Sequence, residues 1–411
     1  MSVVTQRTDY TFKYNQSQSR HGWLRLTPAY SVKLVQEIVN HLEPTRLQPR
    51  VILDPFSGTA TTGLTAAQND FTARLYDINP FLIWLGNAKC RHYTEDEISA
   101  AAQKIPQIIQ AYKQYLPQSN WQPAIYNIHR WWAPATLNIL TAMRQTIVDT
   151  GGEPGEYPAT DLLWIAFCQL VIETSAAAFN HVSLSFHDET TSFATQTIDL
   201  FFSEAAHHIM AEAGETIYGE VAVEYADSRY PLPHPSFNKY TDVITSPPYP
   251  NRVSYIRELR PYMYWTKFLR EAREAGELDW TAIGGTWGIA TSRLKVWQPE
   301  LDTLPDAVYQ TCAAIAQSDN KNAFLMSRYV HKYFHDMHQH FASLRSSLAP
   351  GANLHYIVGN STFYGIRVNT EQLLGDSLSQ LGYSDIACRV VRKRNSKKEL
   401  YEFCLSAKWN E

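Results

Sequence analysis

The segment Arg50-Val51-Ile52-Leu53-Asp54 runs straight into Pro55-Phe56-Ser57-Gly58-Thr59-Ala60-Thr61-Thr62-Gly63, followed by Leu64-Thr65-Ala66-Ala67. A short apolar run, a Gly/Ser/Thr turn and an apolar helical start, in that order, make the first βα unit of an open α/β sheet. Gly58 lets the backbone approach a ligand closely, and the helix N-terminus beyond it offers N–H groups to a carboxylate. Thr72-Ala73-Arg74-Leu75-Tyr76-Asp77-Ile78-Asn79-Pro80 then predicts a second strand. Its acidic tip, Asp77, falls roughly 20 residues after the glycine turn, where a carboxylate can accept both hydroxyls of a ribose. Together the two units point to an adenosine-containing ligand.

A second strand-to-turn junction lies at Thr241-Asp242-Val243-Ile244-Thr245-Ser246-Pro247-Pro248-Tyr249-Pro250. A buried strand that stops at Ser-Pro-Pro-Tyr delivers four rigid residues to the C-terminal edge of the sheet, where ligands of open α/β folds bind. The two prolines lack N–H donors, which leaves the carbonyls of Ser246 and Pro247 able to accept hydrogen bonds. Tyr249 adds an aromatic face. Such a corner suits a flat, amine-bearing substrate.

These two junctions give the chain its resemblance to the DNA amino-methyltransferases, which methylate an exocyclic nitrogen of a base. Asp54-Pro55-Phe56-Ser57-Gly58-Thr59-Ala60 is similar to that family's cofactor motif, except that glycine is usual where Ala60 stands. A methyl there is compatible with a negative φ. Ser246-Pro247-Pro248-Tyr249 resembles the family's catalytic motif, in the serine form mostly found in cytosine-N4 enzymes; Asp or Asn is usual in adenine-N6 enzymes. The resemblance implies a methyltransferase-type Rossmann sheet, mostly parallel with a C-terminal antiparallel hairpin, plus a helical insertion. It implies S-adenosylmethionine as cofactor, held by Thr27, Asp54, Pro55, Phe56, Gly58, Thr59, Asp77, Ile78 and Asp227. It also implies Ser246, Pro247, Pro248 and Tyr249 as catalytic residues acting on a flipped-out cytosine in double-stranded DNA. Adenine N6 is the alternative, followed by an RNA base and by a non-catalytic DNA-binding module. A restriction-modification or genome-marking role, with a separate restriction endonuclease as partner, follows from the same resemblance.

The 411 residues exceed one average domain, so a core with a large insertion is expected. We divide the chain into residues 1–89, the N-terminal helix and first half of the core; 90–219, a helical insertion; and 220–411, the second half, with a binding loop around 271–325. The net charge of -4 excludes a uniformly basic nucleic-acid binder and requires a local positive patch. Arg252, Arg257 and Arg260 are candidates for phosphate contact, or for a solvated helix face, and Trp287 sits in a glycine-rich loop suited to binding.

Five scattered cysteines without a C-x-x-C pair read as reduced thiols of a cytoplasmic protein. None follows a proline, so the Pro-Cys nucleophile of cytosine carbon-5 methyltransferases is missing. Leu162 to Phe179 is interrupted by polar residues and predicts a core helix with no membrane span. Thr27-Pro28 is a plausible start for an amphipathic helix carrying Val32, Val35, Ile38, Val39 and Leu42. Thr94 and Glu97 form a capping box, and Pro106 is expected to kink or interrupt the helix that follows. Trp131 and Trp132 fit either a core or a nucleic-acid contact. His331, His335 and His338 share a helix face, read as packing without metal. Val221 to Arg229 predicts a strand with Asp227 in the turn after it, and the last two strands form a hairpin.

Overall fold

The computed structural model describes residues 7–26, 29–42, 49–116, 121–178, 185–233, 239–285, 289–299, 303–394 and 399–411. Thr27, Pro28 and Trp287 lie outside these residues. The central sheet has seven strands: β1 Val51–Asp54, β2 Thr72–Asp77, β3 Val221–Tyr225, β4 Tyr240–Thr245, β5 Leu348–Gly359, β6 Ser384–Lys393 and β7 Tyr401–Trp409. They run in the spatial order β3-β2-β1-β4-β5-β7-β6. Pairings are parallel from β3 through to β5 and antiparallel on both sides of β7. The expected mostly parallel α/β sheet with a terminal antiparallel hairpin is therefore present. From β1 the chain builds outward through β2 and β3, then returns to add β4 on the other side, so the order reverses at β1 and β4 and a crevice opens there. Because β7 is antiparallel, its first residues share an edge with the last residues of β4 and β5.

The apolar face of helix α1 (Val32–Asn40) is buried as expected through Val32, Val35, Ile38 and Val39. The helix begins at Val32 with Ser31 in the cap position, four residues beyond the expected start. The Val32 N–H is instead accepted by Asn15 Oδ1 at 2.9 Å, and Asn15 Nδ2 donates to the Tyr30 carbonyl at 2.8 Å. A buried asparagine from the N-terminal segment thus supplies the partner that a local cap would have supplied. Helix α2 (Thr61–Gln68) follows the glycine turn, and α3 (Pro80–Cys90) starts with Asn79 as cap and Pro80 in the first turn.

Between β2 and β3 stand α4 (Glu95–Tyr115), α5 (Pro134–Gly151), α6 (Pro158–Glu173) and α7 (Thr195–Ala213). The Thr94/Glu97 capping box is present at the start of α4, and the helix continues through Pro106. Pro106 is exposed while Ala101, Ile105, Ile108 and Tyr112 are buried. The carbonyl freed by proline therefore lies on the wet side, and tertiary packing of the other side keeps the helix going. Trp131 and Trp132 are stacked inside the helical core, beside Trp164 and Trp265. The core reading of these tryptophans holds.

Beyond β4 come α8 (Tyr255–Trp265), α9 (Ala272–Thr281), α10 (Asp306–Ala316), α11 (Ala323–Leu344) and α12 (Thr370–Gln380). The Arg144 guanidinium, buried in the helical core, donates to the Trp265 carbonyl at 2.8 Å at the end of α8. That bond ties the helix after the Ser-Pro-Pro-Tyr turn to the insertion. No helix among the described residues is long and apolar enough to cross a membrane. All five cysteines are free, four of them buried.

Candidate active site

One cavity of about 630 Å³ opens at the reversal point of the sheet, a volume within the range of small-ligand sites. Its wall includes Pro55, Phe56, Gly58, Thr59, Asp77, Ile78 and Asp227 on one side, and Ser246, Pro247, Pro248 and Tyr249 on the other. Sequence-distant turns meet because β1 and β4 pair in register, Ile52 with Asp242 and Leu53 with Val243. Both strands then end at the same edge.

The glycine turn is held from two sides. Asp77 Oδ2 accepts the Gly58 N–H at 2.9 Å, and its Oδ1 accepts the Asn79 N–H at 2.9 Å. Each oxygen retains a lone pair, so the carboxylate has capacity left for a ligand's hydroxyls. Burial, helped by the nearby Asp54 charge, raises the Asp77 pKa to about 6, against the backbone donors of Asn79, Gly58 and Ile78 that lower it. From behind, the buried Lys89 ammonium donates to the Thr59 carbonyl at 2.8 Å, and burial brings its pKa down to about 8.

Two sequence expectations fail at this turn. Ala60 does not adopt a negative φ; it sits at +57°, next to Gly58 at +49°. Left-handed backbone costs alanine roughly 1–2 kcal/mol, while burying its methyl returns about 0.8 kcal/mol. Gly86 on α3 provides the space: a Cβ there would lie 3.2 Å from the Ala60 Cβ and 3.0 Å from Val223 Cγ2. Asp54, expected among the cofactor-binding residues, is fully buried and does not line the cavity. Its carboxyl accepts from Thr245 Oγ1 at 2.5 Å, the Phe56 N–H at 3.1 Å and the Tyr30 hydroxyl at 3.4 Å. It joins the ends of β1 and β4, and burial raises its pKa to about 6.

Asp227 does reach the cavity wall, but Arg229 grips its carboxylate. Arg229 Nε donates to Oδ1 at 3.0 Å and Nη2 to Oδ2 at 2.6 Å, with the Arg229 N–H also on Oδ1 at 3.1 Å. Nε also lies 3.2 Å from Oδ2, so Arg229 occupies both oxygens of the carboxylate.

At the opposite corner, the Ser246 hydroxyl donates to the Ile357 carbonyl at 3.1 Å, with the Tyr249 oxygen at 3.3 Å. The Tyr249 hydroxyl donates to Glu402 Oε1 at 2.9 Å. Glu402 is buried and bonded by Arg392 Nε at 2.7 Å. Register explains the meeting: Glu402 opens β7 opposite Gly359 on one side and Arg392 on the other. A Cβ on Gly359 would lie 2.8 Å from Tyr249 Cδ2 and 2.8 Å from Arg394 Cζ, so only glycine lets the Tyr249 ring lie here. Gly359→Ala is expected to lower turnover about tenfold or more by displacing that ring, with cofactor affinity unchanged. Single-turnover kinetics beside calorimetry checks this, and equal turnover in the variant would show that the ring position is immaterial.

Arg252, before α8, is exposed, while Arg257 and Arg260 on α8 are half-buried. None of the three lines the cavity. Burial and the neighbouring Arg257 lower the Arg260 pKa. His331 and His335 pack edge-on against Trp297, and no group of three potential metal ligands occurs among the described residues. Sequence reasoning missed the N-terminal segment, whose Tyr10 and Phe12 line the cavity, along with Tyr30, Tyr255 and Glu402. For Glu402 a signal existed, a carboxylate at the start of an otherwise apolar strand; the N-terminal segment carried none.

A sheet of this order, with a glycine turn and a double-proline turn facing one cavity at its reversal point, is that of the methyltransferase-type α/β folds. Residues 32–148 match the family model described as D12 class N6 adenine-specific DNA methyltransferase. The match supports a DNA methyltransferase and covers the glycine turn and Asp77; it does not extend to Ser246–Tyr249. It favours the adenine class over the cytosine-N4 class expected from Ser246. No curated protein matches the sequence.

Proposed function

We propose that this cavity transfers a methyl group from S-adenosylmethionine to the exocyclic amine of a base in double-stranded DNA, with adenine N6 as the first assignment. The observation that carries the reading is that the glycine turn with Asp77 and the Ser246–Tyr249 turn line one cavity. Cytosine N4 is the second reading, favoured by the serine at position 246. The family match favours adenine, although the matched segment ends before the residues that would contact the base.

The residues fit the cofactor through their donor and acceptor chemistry. Asp77 has acceptor capacity for ribose hydroxyls, and Phe56 and Tyr249 offer ring faces to a cation. When bound, S-adenosylmethionine supplies a sulfonium methyl whose C–S bond breaks as the N–C bond forms. The chain's own task is to localise the amine lone pair, which the base ring otherwise withdraws. Acceptors at Ser246 Oγ and the Pro247 carbonyl take the amine hydrogens and favour a pyramidal nitrogen. The nitrogen becomes acidic on alkylation and then releases one proton to solvent, so a neutral serine suffices.

A duplex hides the amine, so the base must leave the stack, and Tyr249 covers it. Lys13, Lys393 and Arg394 at the cavity wall supply local positive charge for phosphates despite the net negative chain. We assign Arg252, Arg257 and Arg260, which lie outside the cavity, to DNA contact, together with Trp287. Expression in a methylation-free host, followed by sequencing that separates 6-methyladenine from 4-methylcytosine, is expected to show modified adenine within one short motif. Modified cytosine would establish the second reading, and unmodified DNA from active protein would refute both.

A further inference from the structure

We propose that Glu402 is a positioning residue for methyl transfer: by taking the Tyr249 hydroxyl proton, it keeps the Ser246 oxygen free to accept the substrate amine. This inference rests on the function assigned above.

The argument is a count of hydrogens and lone pairs. Ser246 and Tyr249 each carry one hydroxyl proton. The Tyr249 proton goes to Glu402 Oε1 at 2.9 Å. The Ser246 proton goes to the Ile357 carbonyl at 3.1 Å, which can only accept. With both protons committed away from it, Ser246 Oγ presents lone pairs to the cavity. Without Glu402, the phenol has a nearby alternative acceptor, the Ser246 oxygen at 3.3 Å. A proton turned that way would occupy the lone pair required by the amine.

The surroundings fix this direction. Glu402 is buried, its other oxygen is held by Arg392 Nε at 2.7 Å, and it faces Gly359 across β5. The Tyr249 N–H lies 3.3 Å from the Tyr255 hydroxyl, which restrains the turn. Nothing in a role for Tyr249 as a stacking surface alone requires its hydroxyl.

The test is a double-mutant cycle on full-length protein, read as turnover on duplex DNA, with S-adenosylmethionine affinity and melting temperature measured alongside. Glu402→Leu leaves the phenol without its acceptor and is expected to lower turnover about tenfold with cofactor affinity unchanged. Glu402→Gln is expected to recover most of that loss through its amide oxygen, and Tyr249→Phe added to Glu402→Leu to recover it as well, because the ring stays and the misdirected proton is gone. Full turnover in Glu402→Leu overturns the proposal, as does a double variant no faster than Glu402→Leu. If Glu402→Leu fails to fold, Glu402→Met with and without Tyr249→Phe takes its place. A wild-type protein that transfers no methyl overturns this and the assigned function together, whereas an active wild type with an unimpaired Glu402→Leu variant overturns this one alone.

Discussion

Replacing Ser246 with alanine is expected to lower the methyl-transfer rate about a hundredfold, the usual scale for losing one preorganised polar partner of the transition state. Cofactor affinity should stay within about twofold, because the loss falls on a step after binding. The reason is local. The Ser246 hydroxyl proton is held by the Ile357 carbonyl, so its oxygen serves the cavity as an acceptor, and alanine offers the amine nothing. Pre-steady-state transfer rates with calorimetric affinities check the result. A variant that loses affinity and rate equally would place Ser246 in the cofactor site and remove it from the chemistry.

The second large effect is at Asp77. Asp77→Ala is expected to weaken S-adenosylmethionine binding about a hundredfold, because it deletes an ionised acceptor for the ribose and two backbone hydrogen bonds that hold the turn. The wild type should also bind in a pH-dependent way. Burial raises this carboxyl to about 6, and ribose hydroxyls favour the ionised form. Affinity is therefore full above pH 6 and falls about tenfold per unit below it. The same shift acts oppositely on the empty protein: a raised carboxyl pKa favours the protonated folded form, so this group's contribution to stability declines as pH rises from about 4 to 6. Asp77→Asn should abolish the pH dependence of binding. Titrations at pH 5 and 7.5 decide the matter; an unchanged slope in Asp77→Asn would move the titration to another group, with the buried Asp54 first to be examined.

The fold was legible because β1, β2 and β4 are short apolar runs ended by turn residues, and such periodicity is local. Their convergence was inferred from the order of an open sheet, and the register of β1 with β4 bears it out. Failures came where distant residues decide. The sequence allowed a methyl at Ala60 only with a negative φ; its positive φ is locally strained, and Gly86 on another helix leaves room to bury the methyl there. Asp54 looked like a ligand contact, but its burial against Thr245 depends on the neighbouring strand. Pro106 was expected to kink or interrupt α4, and packing of the opposite face lets the helix continue through it. Glu402 joins the site only through the antiparallel pairing of β7 with β5, more than 150 residues after Tyr249.

The claim on which the account stands is that donor and acceptor share one cavity, and a crystal structure with S-adenosylhomocysteine tests it most directly. The account predicts the ribose on Asp77 and the sulfur within the space between Phe56 and Pro247. A ligand bound with its sulfur outside the cavity that contains Ser246 and Tyr249 would contradict it.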